Sequence, residues 1–327
     1  MSHFRNKRRG DTERMSFVCK ECGKEFETER RMHSHLKAHG LRMASYYQKH
    51  FPRYDMYDGE MIKFKDKRHY FDSDFNSRVN QRKWLEQQPL ETSRSYLKNI
   101  IEKRKEKKDL IFSPCQVELR TLMTPSIITY EKYFDDYYDM CSSIGLKNKF
   151  KKVEKIIEGS AKNERDDLKV YIDTREQMPL KFNIESEAKA LKYGDYALSD
   201  KSLTCNCYIE RKSLADFIST ISVLNHERFC NEIKRAEEDN ANLVVVVEEG
   251  LNRALAFKHL PHISKKIKAT PEYIFHKVRQ IIQEYNSVQF LFVNGRKESV
   301  RVIEKIFFSG CVYKDVDLQL AYDKKIL

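Results

Sequence analysis

The chain has 327 residues, 34% of them charged, with a formal net charge of +12. That length suffices for two domains with real cores, and so large a positive excess points to a polyanionic partner, nucleic acid being the commonest. No apolar run reaches the ~18 residues of a membrane-spanning helix, and the stretch from Met1 to Met15 lacks the apolar centre of a secretory signal. Two of the eight cysteines have metal-ligand spacing and the others fall into no disulfide framework. That usage predicts a reducing intracellular compartment, the nucleus in a eukaryote or the cytoplasm in a bacterium or phage.

Residues 1–16 read as a disordered basic arm, whose "RNKRR" suits either a nuclear address or phosphate contact. Residues 17–40 read as a compact metal module. Cys19 and Cys22 are separated by two residues, twelve more precede His35, and three separate it from His39. Two thiolates on a knuckle and two imidazoles four apart on a helix close a tetrahedral zinc site. These ligands, with Phe17, Phe26 and Met32 at the apolar positions beneath the metal, resemble the TFIIIA-type zinc finger, a ββα unit. By that resemblance Thr28, Arg30, Arg31 and Ser34 are the base-reading positions.

Residues 41–157 form a basic, aromatic and mostly helical accessory region, expected to bind DNA. "MIKFK" and "HYF" flank a polar "DKR", which predicts a hairpin. "SRVNQRKWLEQQ" then reads as a helix, and residues 92–157 as further helices broken at "FSPCQ" and "MTPS". Trp84, beside Arg82 and Lys83, is either a core anchor or a platform for unpaired bases. Residues 158–167 are polar and patternless, a linker.

From residue 168 to 327 strands alternate with helices, which predicts an α/β domain with a central sheet. "LKVYIDTRE", "NLVVVVEEG" and "VQFLFVNG" are strands by their apolar runs. "GDYALSDKSLTCNCYIERK" is a hairpin turning near Lys201. Ser213 opens a helix with Asp216 as the far end of a capping box, and Thr270-Pro271 opens another. In a strand, Glu210 and Lys212 share one face and Arg211 takes the other. Asp195 then falls close to facing Glu210, and Asp173 ends a strand at the same rim. Carboxylates there suit a divalent metal, with a lysine to orient its water. Singly, each residue is as well explained by a surface ion pair or a cap.

"IDTRE", "YGDYAL", "IERKSLADF" and "HERFCNEIKRA" occur in an order and spacing that resemble the XPF-type structure-specific endonucleases, as does the hallmark Glu210-Arg211-Lys212 with Asp216. The resemblance spans residues 168–312. It implies a restriction-endonuclease-like core with a mixed sheet. Asp195 and Glu210 become magnesium or manganese ligands, Lys212 the water-orienting base and Asp173 an accessory acid. Arg175, Arg211 and Arg228 position phosphate or brace the site, and Asp216 braces the helix behind it. It also implies DNA as partner, branched or flapped DNA cut in repair or recombination, and pairing as a homodimer or heterodimer through the nuclease domain. The family's helicase and tandem helix-hairpin-helix modules are not expected in these 327 residues, so the finger and the accessory region are expected to supply the DNA grip. A site-specific duplex endonuclease and a non-catalytic DNA-binding scaffold are the alternatives. The two metal sites are expected to be independent, so loss of a finger ligand unfolds residues 17–39 alone.

Overall fold

The structure, a computed structural model, describes residues 16–122, 124–152 and 168–327. The expected linker at 158–167 and all but the last residue of the expected arm lie outside them. The chain divides into two compact units, one ending at Gln88 and the other beginning at Pro89. The accessory region expected at 41–157 is thus shared between the two.

In the first unit, strands β1 (Phe17–Val18) and β2 (Glu25–Phe26) pair antiparallel and lead into helix α1 (Glu29–His35). Thr28 caps α1 by accepting a bond from the Arg31 N–H at 3.3 Å, which satisfies one of the donors a helix start leaves orphaned. Helices α2 (Met43–His50), α3 (Lys67–Asp72) and α4 (Arg78–Gln87) follow. The core beneath the finger continues well past His39. Cys19, Met32 and Leu36 are buried in one cluster with Tyr46, Tyr47, Ile62 and Tyr70. The Lys20 N–H donates to the Tyr46 hydroxyl at 2.9 Å, and Glu21 accepts from Lys49 at 2.7 Å and pairs with His50 at 2.6 Å. The expected hairpin over "MIKFK" and "HYF" is absent from these residues. Asp66 caps α3 through the His69 N–H at 2.8 Å, so the second arm is helix, and the antiparallel bridge in this region joins Tyr54 to Met61. A capped turn outcompetes the alternation of a few aromatic residues.

The second unit opens with helices α5 (Leu90–Lys108), α6 (Gln116–Arg120), α7 (Ile127–Tyr130) and α8 (Tyr137–Ser143), as the helical pattern predicts. These are bonded to the α/β core. The Gln116 N–H donates to buried Asp317 at 2.7 Å, Arg120 pairs with Asp323 at 2.6 Å, and Gln283 donates to Glu118 at 3.1 Å. The core itself runs β3 (Val170–Ile172), β4 (Ser186–Ala188), β5 (Tyr196–Leu198), β6 (Cys207–Lys212), α9 (Leu214–Ile221), α10 (Val223–Glu238), β7 (Asn242–Val247), α11 (Leu251–Ala254), α12 (Pro271–Glu284), β8 (Val288–Phe292), α13 (Arg296–Phe308) and α14 (Leu318–Asp323).

The six strands form one mixed sheet in the order β4-β3-β5-β6-β7-β8. Pairing is antiparallel across β3-β5-β6 and parallel across β6-β7-β8. β7 is buried throughout its apolar run, as expected of a central parallel strand. Phe217 of α9 packs on Phe275 of α12 and on Phe290 and Phe292 of β8, with centroids 6.1, 6.2 and 5.3 Å away. Among the described residues no helix is long and apolar enough to cross a membrane. The cysteine reading needs one correction. Cys205 in the β5–β6 turn and Cys311 beyond α13 form a disulfide, with Cα atoms 5.3 Å apart across 106 residues of sequence. No spacing rule reports a pairing over that separation.

Candidate functional site

The zinc-type cluster lies at the turn between β1 and β2 and on the helical segment after them. Ligand atoms of Cys19, Cys22, His35 and His39 all lie within 4.8 Å of one another. Cys22 Sγ is 3.3 Å from His35 Nε2, and the His35 and His39 Nε2 atoms are 3.0 Å apart. Two sulfur and two nitrogen donors converging on one point is a donor set that fits tetrahedral zinc. Thr28, Arg30, Arg31 and Ser34 are exposed. Arg31 pairs with Glu27 at 2.5 Å and Ser34 donates to the Arg30 carbonyl at 2.9 Å. Glu29 and His33, on another face of α1, meet the Tyr47 hydroxyl at 3.2 and 2.9 Å. Trp84 is half-buried with its ring 5.8 Å from Phe75, the packing of a core anchor.

The second site forms at one end of the mixed sheet. Tyr196 pairs with Ile209 in the β5–β6 ladder, and the Asp195 N–H donates to the Ile209 carbonyl at 2.7 Å. That registry brings Asp195 beside Glu210. Gly194 makes it possible. It adopts φ +58°, and a Cβ there would stand 2.6 Å from the Ile209 carbonyl oxygen, so any side chain would push β5 off β6.

Alternation along β6 holds. Lys212 Nζ donates to Glu210 Oε1 at 2.7 Å, and both side chains are largely buried. Arg211 leaves on the opposite face, where it bonds Glu176 at 3.1 Å and Glu248 at 3.0 Å, two acids the sequence reading did not single out. Its backbone N–H donates to Asp195 Oδ2 at 2.7 Å. The carboxyl of Asp195 is raised well above the usual carboxylate range, first by burial and then by the Glu210 carboxylate beside it. Acidic oxygens in such mutual repulsion are a donor set that fits a hard divalent cation.

The remaining residues lie around these. The Asp173 N–H donates to the Asp195 carbonyl at 2.8 Å, which sets it at the same rim. Its carboxylate accepts from the Arg175 and Leu191 backbone N–H groups and from the Arg175 guanidinium, at 2.6 to 3.1 Å. With so many donors, it is occupied as a structural acid. Arg175 is committed to that pairing. Asp216 is exposed at the start of α9, where Ser213 Oγ accepts from its N–H at 3.2 Å and donates to its carboxylate at 2.6 Å. The reciprocal bond of the expected capping box thus runs between side chains. Arg228 is exposed on α10.

Glu176 is the last residue of "IDTRE", and Glu248 follows the run of valines in β7. The signal that could have found Glu248 is strand register: Lys212 is level with Val247, so the next residue falls beside the β6 end.

The model of the ERCC4 domain matches residues 172–306. Two solved structures are similar to part of the chain. XPF from Aeropyrum pernix is 19% identical with a TM-score of 0.32, over 42% of this chain and 64% of that one. The same protein in a complex with DNA is 18% identical with a TM-score of 0.32, over 48% and 66%. The chain therefore spans about two thirds of the length of either. No curated protein matches significantly. Residues 172–306, which carry Asp173, Asp195, Glu210 and Lys212, thus match the ERCC4 domain.

Proposed function

We propose that the chain is a metal-dependent DNA endonuclease that hydrolyses phosphodiester bonds in branched, flapped or forked DNA during repair or recombination. The observation that carries this reading is the constellation at the end of β6. Glu210 and Lys212 bond at 2.7 Å on one face of the strand, and the raised carboxyl of Asp195 lies beside them within the ERCC4 segment. Asp195 and Glu210 would hold magnesium or manganese through carboxylate oxygens. Bound there, such a cation polarises a phosphate and acidifies a water.

The protein's own residues do the positioning. Glu210 holds the Lys212 ammonium at the site, where it orients the attacking water. The Arg211 backbone N–H fixes one oxygen of Asp195 and so aims the other. The Arg211 guanidinium is spent on Glu176 and Glu248, so it braces the strand and leaves phosphate to other cations. Asp173 serves as a brace beside Asp195, not as a metal ligand, because N–H donors occupy its carboxylate. Zinc at the Cys/His cluster would organise the first unit, whose exposed arginines on α1 suit phosphate or base edges. Pairing with a second nuclease domain belongs to the same reading and rests on the family resemblance, and an intracellular setting rests on the cysteine usage.

The test is cleavage by the purified chain, with magnesium or manganese, of matched duplex, flap, fork and junction DNAs. Preferential cutting of branched substrates supports the reading. Cutting plain duplex at one sequence favours a site-specific endonuclease. DNA binding with no cutting of any substrate favours the scaffold.

A further inference from the structure

Helix α10 lies over the face of β6 that carries Glu210 and Lys212. Phe229, Ile233 and Ala236 are buried at helical spacing, and the Lys212 ammonium stands 5.8 Å from the centre of the Phe229 ring. The Tyr193 hydroxyl, two residues before Asp195, donates to the Arg235 carbonyl of the same helix at 2.9 Å. Glu232 follows Phe229 by one turn and so faces the same way. It is half-buried.

The surroundings of Glu232 are unusual for a half-buried acid. Every other acid at this rim has a committed partner: Asp173 has Arg175, while Glu176 and Glu248 share Arg211. Among the described residues Glu232 has no hydrogen bond or ion pair. Its electrostatic neighbours are Glu210, which opposes its ionisation, and Lys212, Arg235 and Arg228, which favour it, while burial outweighs them all. Arg175 also feels its charge, alongside that of Asp195. Glu232 thus faces the rim where Glu210 stands beside Asp195 and meets the charge of Glu210, and the ammonium of Lys212 is already bonded to Glu210. The helix could lose this residue to alanine or glutamine without breaking a hydrogen bond or ion pair, and would be relieved of repulsion. A cation between the acids turns the same arrangement from a cost into an attraction.

We propose that Glu232 is a third carboxylate of the nuclease metal centre, supplied by α10 and acting on a magnesium- or manganese-class cation held by Asp195 and Glu210. The proposal rests on the metal-dependent reading above and names a residue that reading does not use. Glu232 would hold the cation directly or through one of its waters, and would tie α10 to the sheet only when the cation is bound. In the metal-free protein the same residue pushes α10 away.

The test uses the full chain with zinc in its finger, titrated with manganese and followed by the electron paramagnetic resonance of free Mn2+. Glu232→Gln keeps the shape of the side chain and removes its charge. It should weaken manganese binding by about tenfold or more, the range for outer ligands of a metal centre. It should also raise the melting temperature of the second unit before manganese is added, and shrink the rise that manganese produces. A residue with a purely structural role would lower the first value and leave manganese affinity alone. Glu210→Gln is the control and should lose this binding site. Manganese affinity unchanged in Glu232→Gln, with Glu210→Gln losing it, overturns the role of Glu232 and leaves the metal-dependent reading standing. A wild-type chain that binds no manganese at this site overturns both. Should Glu232→Gln fail to fold, Glu232→Asp decides: affinity between the wild-type and Glu210→Gln values supports the proposal, and wild-type affinity overturns it.

Discussion

The two metal-type sites are built by opposite strategies. In the first unit one of the four candidate ligands is part of the core: Cys19 is fully buried in the same cluster as Met32, Tyr46, Ile62 and Tyr70, while Cys22 is exposed. The soft donors close on one point, and aromatic residues far outside the finger pack against them. In the second unit the core is finished without the site. Buried strands and Phe217 support a rim where Asp195, Glu210 and Lys212 are held half-buried. Zinc in the first site would be a structural member, while the second site would keep its carboxylate oxygens for a cation that comes and goes. The comparison teaches that donor type separates the two sites, soft atoms closed on one point against hard oxygens at a rim, since Glu210 is itself better buried than Cys22 of the finger.

The largest effect should come from the first site. Structural zinc is worth about 10 kcal/mol or more to a small domain. Cys22→Ser should therefore cost the unit its fold. Because the buried cluster runs on to Tyr70, the damage should reach α2 and α3 and not stop at residue 39. Hydrogen exchange should show lost protection at Tyr46 and Tyr70 together with the finger, while amides of β6 and β7 stay protected. Protection retained at Tyr70 would restore the picture of a self-contained finger.

A smaller effect is expected behind the second site. Arg211 lies between Glu176 and Glu248, all three largely buried. Arg211→Met leaves Glu176 without a counter-charge and Glu248 with only Arg296 at 3.8 Å, and breaking a buried pair in this way typically costs about 3–5 kcal/mol. Denaturant unfolding of the second unit measures it. A triple variant with Glu176→Gln and Glu248→Gln should recover most of the loss, because the penalty lies in the unpaired charge. A loss no larger than that of an exposed arginine would mean the brace is ornamental.

The smallest effect carries a sign that separates the two sites. Burial and Glu210 raise the carboxyl of Asp195 above its unfolded value. An acid so raised is most stabilising when protonated, below its unfolded pKa, and that stability is lost as pH rises through the folded pKa. In protein free of magnesium and manganese, Asp195→Asn should thus be more stable than wild type at pH 8 and indistinguishable from it near pH 4. Added manganese should reverse the order at pH 8. Melting curves at the two pH values check the prediction.

Much of the second unit was legible because its signals are local. Thr270-Pro271 opens α12 and Ser213 opens α9 as their chemistry dictates, and the valine run of β7 is a buried strand. Alternation along β6 placed Glu210 and Lys212 together and Arg211 apart. What escaped notice depends on distance. β4 is exposed along its whole length, so it has no apolar pattern to betray it. The bonds of Gln116 and Arg120 to Asp317 and Asp323 cross about two hundred residues, so nothing near Gln116 marks α6 as part of the nuclease unit. The partners of Asp173 explain why an acid at the right rim is a brace: its donors include the backbone N–H of Leu191, which no side-chain motif reveals. In the finger the four ligands were plain in the spacing. The extension of their core into α2 and α3 was not, because Tyr46 and Tyr70 belong to no repeat shared with the ligands.

The central claim is that Glu210 and its neighbours hydrolyse DNA with a bound divalent cation. Its most direct test compares single-turnover cleavage of a flap or fork by wild type and Glu210→Gln, with magnesium present and DNA affinity measured in parallel. Removing several kcal/mol of charge stabilisation should lower the rate at least about a hundredfold, while affinity, set by lysines and arginines elsewhere, changes little. Cleavage by Glu210→Gln at the wild-type rate, with magnesium present, would contradict the account.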